Sequence, residues 1–298
     1  MVEIRNLSVG YPGHPVLGKV SLHIPAGAVT AIVGPNGCGK STLLKALAGM
    51  LPRSSGEITV AGKPIGAYTS QELARQIAFL PQGKAVPDIT AGKLVLHGRF
   101  PYLGYPRHYG RQDLAIAKAA MERMGIAHLA DIPVAQLSGG TRQKVYIAMA
   151  LAQDTPVILM DEPTTYLDMA RQLRLMDQAR DLADEGKAVI LITHDIDLAF
   201  EFADRVAVFY AGTTVESAPA VDFRTGPEAL RHPYSKALWR ALPQNGFEPI
   251  DGFQPYAGDL PQGCLFAPRC PYATEKCRMH TPPMREVRDG EVRCFHAT

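Results

Sequence analysis

Three short segments of this chain have residue types and spacings suited to phosphate chemistry. The first, Gly34-Pro35-Asn36-Gly37-Cys38-Gly39-Lys40-Ser41, fits G-x-x-x-x-G-K-[ST] and lies between an apolar strand-like run and a helical run, the context that motif requires. Gly34, Gly37 and Gly39 let the backbone wrap closely, so that successive N–H groups point at phosphate oxygens. The start of the following helix adds partial positive charge. Lys40 is placed to reach β/γ-phosphates and Ser41 to hold Mg²⁺, and Asn36 and Thr42 complete the candidate nucleotide contacts. Cys38 occupies a variable position and reads as loop filler. Alone, the motif says nucleotide binding, which a kinase, a GTPase and a motor would all share.

The second segment, Val157-Ile158-Leu159-Met160-Asp161-Glu162, is an apolar strand ending in two carboxylates. A buried strand aims its last residues at the sheet edge where a phosphate loop also lies. Asp161 is placed there to bind Mg²⁺ through water, and Glu162 to polarise an attacking water. The third segment, Leu137-Ser138-Gly139-Gly140, precedes a helical run over residues 142–153. A small hydroxyl with two glycines at a helix start makes another anion site, although an ordinary serine N-cap has the same composition. Two phosphate cradles in one chain suggest nucleotide shared between two subunits.

A different chemistry is available near the end. Cys264, Cys270, Cys277 and Cys294 are spaced C-x5-C-x6-C-x16-C, whereas Cys38 stands alone. The two close C-x2–4-C pairs of structural zinc sites are missing. Four thiolates in a loop-rich segment of a reducing compartment suit a 4Fe–4S cluster, whose ligand spacings vary more. Zinc, and bare thiols or disulfides, remain open on spacing alone.

These groups have to be positioned by a chain of 298 residues, 46% hydrophobic and 20% charged, which is long enough for one large and one small domain. Short strands occupy residues 2–9, 20–24, 29–33 and 57–60, and helical runs residues 40–50 and 112–124. From Pro156 strand and helix alternate: strand 157–160, helix 169–184, strand 188–193, a short helix, strand 205–210. Apolar strands alternating with helices predict an α/β fold with parallel strands buried on both faces. Thirteen prolines fall in residues 1–218 and 11 in the last 80, so a loop-rich second region is expected over 219–298. With 31 basic and 29 acidic residues the formal net charge is +2, and no whole-chain field points to nucleic acid. Apolar runs are too short to span a bilayer, and the start of the chain shows no signal peptide. The expectation is a soluble, unexported protein whose membrane role, if any, comes through a partner.

Together these segments resemble the ATP-binding cassette ATPases over residues 1 to about 217. The resemblance implies a P-loop NTPase fold with a RecA-like core, an antiparallel β subdomain and a helical subdomain. It implies that Tyr11 stacks on adenine, that Gln82 in Phe79-Leu80-Pro81-Gln82 senses Mg²⁺ and a membrane partner, and that Ser138, Gly139 and Gly140 are the signature. It further implies that Asp168 in Thr165-Tyr166-Leu167-Asp168 belongs to the D-loop, and that His194 in Ile192-Thr193-His194-Asp195 is the switch at the γ-phosphate. Glu162, His194 and Gln82 are then the catalytic set, and Ser41, Gln82 and Asp161 the Mg²⁺ set. Thr141 stands where that family commonly has Gln, with altered tuning the expected consequence. Two cassettes would close head-to-tail on two ATP molecules, each phosphate loop facing the partner's signature.

Within that family, Pro87-Asp88-Ile89-Thr90-Ala91-Gly92 and His97-Gly98-Arg99-Phe100-Pro101-Tyr102-Leu103-Gly104 look like the importer ATPases for iron–siderophore, haem and cobalamin. The end of the chain is similar to something else. His232-Pro233-Tyr234-Ser235-Lys236-Ala237-Leu238, Gly263-Cys264-Leu265-Phe266-Ala267-Pro268-Arg269-Cys270-Pro271 and Val292-Arg293-Cys294-Phe295-His296 resemble the C-terminal region of oligopeptide, dipeptide and nickel importer ATPases. Similar tails carry a 4Fe–4S cluster, which the resemblance extends to Cys264, Cys270, Cys277 and Cys294. The segment after Gln82 contacts the permease in such proteins, so the cassette decides the expected cargo: a chelated metal or cofactor. Import of peptide, nickel or a metal-opine is the alternative. A cassette ATPase of iron–sulfur assembly, DNA repair or translation is a different class, and none of those carries this combination of one cassette and this tail. The expected partners are membrane permease subunits, a second cassette (an identical copy favoured, a relative possible) and, indirectly, an extracytoplasmic substrate-binding protein. The expected location is the cytoplasmic face of the membrane.

Overall fold

The computed structural model describes residues 1–11, 14–83, 86–165, 167–256 and 259–297. Among these the strands are β1 (Val2–Tyr11), β2 (His14–Ile24), β3 (Ala28–Val33), β4 (Arg53–Val60), β5 (Lys63–Pro64) and β6 (Ile77–Leu80). They continue with β7 (Val157–Asp161), β8 (Ala188–Ile192), β9 (Arg205–Tyr210), β10 (Thr213–Pro219), β11 (Arg285–Val287) and β12 (Gly290–Val292). The helices that cover them are α1 (Lys40–Leu47), α2 (Ser70–Ala74), α3 (Ala91–Leu96), α4 (Arg111–Arg123) and α5 (Gly139–Ala152). Beyond these lie α6 (Met169–Asp184), α7 (Ile196–Phe202), α8 (Ala220–Thr225), α9 (Pro233–Arg240) and α10 (Glu275–Met279).

Two sheets result. A four-stranded antiparallel sheet runs β2-β1-β4-β5, and a larger sheet runs β11-β12-β10-β9-β3-β8-β7-β6. In the larger one β9, β3, β8, β7 and β6 are parallel, and β10 and β12 are antiparallel additions. The apolar blocks explain this: all residues of β3, β7 and β8 are buried, because both faces of the sheet are covered. The period of two then sorts each strand. Ala188, Ile190 and Ile192 of β8 face the core shared with β1, β2 and α1, while Val189 and Leu191 face the core under α5, α6 and α7. The α/β cassette with an antiparallel subdomain is therefore present, and α3, α4 and α5 pack on one another as the helical part.

Several boundaries differ from the sequence expectation for local reasons. α1 stops at Leu47 rather than Met50 because Gly49 turns left-handed at φ 72°. α5 begins at Gly139, not Arg142: Ser138 caps it, its hydroxyl accepting from Thr141 N at 3.3 Å, so the two signature glycines form the first turn. The tail also joins the cassette more closely than its proline content suggests. Residues Glu216 and Ser217 of β10 pair with Val292 and Glu291 of β12. Leu230, Tyr234 and Phe266 belong to the main core, with Tyr234 and Phe266 packed on Tyr210 at ring separations of 4.6 and 5.4 Å. Among the described residues, no helix is long and apolar enough to cross a membrane.

Candidate active site

The site starts where β3 runs out. Gly34 takes φ 151° beside β9, where a Cβ would lie 2.4 Å from the Phe209 carbonyl oxygen, so only glycine lets the chain turn there. Gly39, at φ 98°, caps α1, and a Cβ on it would meet Leu17 Cδ2 at 2.6 Å. The loop between them is closed by Lys40, whose ammonium donates to the carbonyls of Gly34 (2.8 Å) and Pro35 (2.9 Å). Cys38, expected as filler, is buried instead. Its carbonyl accepts from Gly212 N at 3.1 Å, and burial pushes its thiol pKa up.

Ser41 Oγ donates to Asp161 Oδ1 at 3.0 Å, joining the start of α1 to the end of β7. Burial raises the Asp161 pKa and that hydrogen bond opposes the rise. A hydroxyl and a carboxylate this close, beside a phosphate cradle, are the oxygen donors a Mg²⁺ ion takes. Glu162 follows at φ 48°, a left-handed conformation that costs a non-glycine residue about 1–3 kcal/mol. Its N–H donates to Ile192 O at 3.0 Å, which fixes the turn. One carboxylate oxygen, Oε2, meets Gln82 Nε2 in a close hydrogen bond and His194 Nδ1 at 3.3 Å. Gln82 follows β6, Glu162 follows β7 and His194 follows β8, so three adjacent parallel strands deliver the three side chains to one point.

A cleft of about 510 Å³ contains most of these groups: Asn36, Gly37, Gly39, Lys40, Ser41, Thr42, Gln82, Glu162 and His194 line it. Val16 of β2 lines it too, a residue that no sequence motif marks. Tyr11 sits half-exposed at the end of β1 and is not among the lining residues. Ser138, Gly140 and Asp168 also lie outside this cleft. Gly139 instead shares a neighbouring groove with Gln82, Asp161 and Glu162. Both serine and aspartate act as helix caps, Asp168 accepting from Arg171 N at 3.0 Å. Ser138 Oγ also pairs with Thr141 Oγ1 at 2.9 Å, so the departure at Thr141 adds a hydroxyl partner to the signature serine. Tyr166 of the expected D-loop lies outside the described residues. Arg171, which sequence reasoning passed over, pairs with Asp168 at 3.3 Å and lies against Gly140, where a Cβ would be 2.5 Å from Nη1.

The four tail cysteines are buried or half-buried and unpaired by disulfides. Among the described residues, no three His, Cys, Asp or Glu side chains gather as a set that could hold a metal ion. The thiols are still neighbours. Cys264 N donates to Cys277 O at 2.7 Å. Burial above all pushes the Cys264 thiol up to about 11; an N–H from Phe266 opposes it and the other three cysteines add to it. Backbone N–H groups two residues on also face Cys270 (from Tyr272) and Cys294 (from His296, 3.3 Å). Cys277 Sγ lies 3.2 Å from His296 Nε2 and 3.3 Å from Thr274 Oγ1. Backbone N–H groups facing Cys264, Cys270 and Cys294 oppose the rise that burial imposes on these thiols, and burial prevails at all three. This packing depends on Gly263, because a Cβ there would lie 2.2 Å from Cys277 O and 2.6 Å from the Arg278 carbonyl carbon. Gly263→Ala is expected to prise Cys264 from Cys277, seen as faster maleimide labelling of Cys264 in peptide-mapped protein.

These features define an ATP-binding cassette. The ABC transporter family model matches residues 17–165, half of the chain, and the model for the oligopeptide/dipeptide transporter C-terminal region matches residues 215–277. The achromobactin transport ATP-binding protein CbrD of Dickeya dadantii is 42% identical over 222 residues, covering 74% of this chain and 82% of that protein. The ferric enterobactin transport ATP-binding protein FepC of Escherichia coli is 39% identical over 218 residues, 72% and 80% of the two chains. A bacterial ABC transporter cassette solved as a dimer superposes with a TM-score of 0.66 at 29% identity, covering 74% of this chain and 99% of that one. The chain belongs to the ABC transporter family, as an ATP-binding subunit of the importer type whose ATPase activity is coupled to transport.

Proposed function

We propose that this chain powers uptake of chelated iron, a ferric siderophore or a cofactor chelate of the haem or cobalamin kind, through a membrane permease. The observation that carries the reading is the 42% identity to an achromobactin transport ATP-binding protein over 222 residues, combined with the convergence of Gln82 and His194 on Glu162. Lys40 and the loop N–H groups of Gly34, Asn36, Gly37 and Gly39 would bind the phosphates, with Tyr11 against the adenine. Ser41 and Asp161, with Gln82, would hold Mg²⁺, which neutralises charge on the β- and γ-phosphates. Glu162 would take a proton from water as its oxygen attacks the γ-phosphorus and the bond to the β-phosphate oxygen breaks. Gln82 and His194 hold the Glu162 carboxylate in place for that step. Ser138, Gly139, Gly140 and Asp168, outside the chain's own cleft, would serve the nucleotide of a second cassette, and we favour an identical copy. The protein would then sit peripherally on the cytoplasmic face of the membrane, with a substrate-binding protein acting on the other side.

Residues 1–218 would carry this catalysis and residues 219–298 a 4Fe–4S cluster on Cys264, Cys270, Cys277 and Cys294. What supports the cluster reading is that the other three cysteines act on Cys264 and that backbone N–H groups face Cys264, Cys270 and Cys294. The tail's match to the oligopeptide/dipeptide C-terminal region favours a second reading, import of peptide or nickel. Anaerobic membrane extraction with mass spectrometry of the co-purifying chains decides between them. One permease type and no second cassette would support the chelate importer; two different permeases with a second cassette would replace it with the peptide or nickel reading.

A further inference from the structure

The phosphate loop is braced from the far end of the chain. Arg293, immediately after β12, is buried, and its guanidinium donates to three carbonyls: Lys19 of β2 (2.7 Å), Thr214 of β10 (3.2 Å) and Pro282 of the tail (3.2 Å). Its own N–H donates to Val215 O at 2.8 Å. From Lys19 the connection continues through two short steps. Gly18 N donates to Gly212 O at 2.9 Å, and Gly212 N donates to Cys38 O at 3.1 Å, inside the phosphate loop. These steps have no slack: at φ 85°, a Cβ on Gly212 would lie 2.3 Å from Val16 O. Val16 and Leu17 in turn lean on Gly39, and Val16 lines the nucleotide cleft.

Between this part of β2 and the tail lies a cavity of about 260 Å³, walled by Val16 and Leu17 on one side and by Leu265 and Phe266 on the other. β1 pairs with β2 along one edge; across the cavity on the tail side the walls are largely apolar, and Arg293 supplies the directional bridge there. We propose that Arg293 is a positioning residue for the phosphate loop, holding β2, Gly212 and Cys38 so that the loop is shaped for nucleotide before nucleotide arrives. Arg293 touches none of the reacting groups, so its loss is felt in binding rather than in chemistry. The proposal rests on the loop being an ATP cradle; if that reading failed, the unaltered protein would bind no ATP at all.

The test uses the full-length protein, unaltered and as Arg293→Gln, Arg293→Lys and Gly18→Pro. Losing two or three buried hydrogen bonds that shape the loop is expected to raise KM for ATP about tenfold in Arg293→Gln. kcat should stay within about twofold, since Glu162, Gln82 and His194 are untouched. Arg293→Lys, which keeps a donor to the carbonyls, should recover part of the loss. Alkylation of Cys38, read by peptide mapping, should speed up in Arg293→Gln and slow again with saturating ATP. A folded Arg293→Gln protein with unaltered KM and unaltered Cys38 labelling overturns the proposal, as does a fall in kcat with KM unchanged. If Arg293→Gln does not fold, Gly18→Pro decides. It removes the Gly18 N–H donor at a position where a Cβ meets nothing within 4 Å. A raised KM there supports the brace, and a normal KM overturns it.

Discussion

Glu162→Gln is expected to lower ATP turnover by about 10²- to 10⁴-fold, the span a positioned general base supplies, while ATP still binds. The substitution keeps the side-chain shape, and glutamine tolerates the left-handed backbone at φ 48° no worse than glutamate does. What disappears is the basic oxygen on which Gln82 Nε2 and His194 Nδ1 converge. The amide can still accept a hydrogen bond but cannot take the proton of the attacking water. Phosphate release at saturating ATP measures the loss, and a fluorescent nucleotide titration shows whether affinity survives. An ATP-dependent shift to a dimer on size exclusion would accompany it, because a pair of cassettes that cannot hydrolyse cannot reopen. Turnover within a few-fold of the unaltered chain would move the general base elsewhere.

The largest stability effect is expected at Arg231. Its guanidinium lies 2.8 Å from Asp222 and 3.4 Å from Glu216, and also donates to the carbonyls of Val287 and Arg288. Glu216, in the middle of β10, is fully buried and also accepts the backbone N–H groups of Arg231 and His232, the latter at 2.8 Å. Arg231→Met leaves that carboxylate buried without its counter-charge, a change that costs about 3–5 kcal/mol in comparable buried pairs. The urea midpoint should fall accordingly, and the β10–β12 contact that carries the cysteine segment should open first. Adding Glu216→Gln removes the orphaned charge and should restore part of the loss, so a double-mutant cycle separates the charge pair from simple packing. If the second change only adds to the first, the pair is not the source of the stability.

These predictions concern residues of very different legibility. Gly34, Lys40, Ser41, Asp161 and Glu162 could be read from the chain alone because each lies in a short motif. The backbone conformation and the side-chain chemistry there are set within a few residues. Glycines at Gly34 and Gly39 mark close approaches whatever surrounds them, and an apolar run ending in two carboxylates marks the end of a buried strand. His232 shows the opposite. In sequence it is part of a tail motif; in the fold it is wholly buried, with a pKa lowered to about 3 by that burial, and it caps α9 as a neutral imidazole. Nothing near it in the chain announces that environment. Cys38, which reads as loop filler, and Val16, which no motif marks, take their roles from Gly212 and from the cleft rather than from their neighbours in the chain.

The class of fold, the phosphate loop and the two carboxylates are legible in the chain, because hydrophobic period and turn chemistry are local properties. What those pieces do together depends on long-range packing. Gln82, Glu162 and His194 follow three different strands, and only the parallel order β6-β7-β8 brings them to a single carboxylate oxygen. The tail reads as a loop-rich appendage, yet β12 extends the core sheet, Arg293 reaches back to β2, and Tyr234 and Phe266 bury their rings against Tyr210. Pairings between residues hundreds of positions apart are set by which surfaces must leave water together, and no stretch of sequence states that in advance.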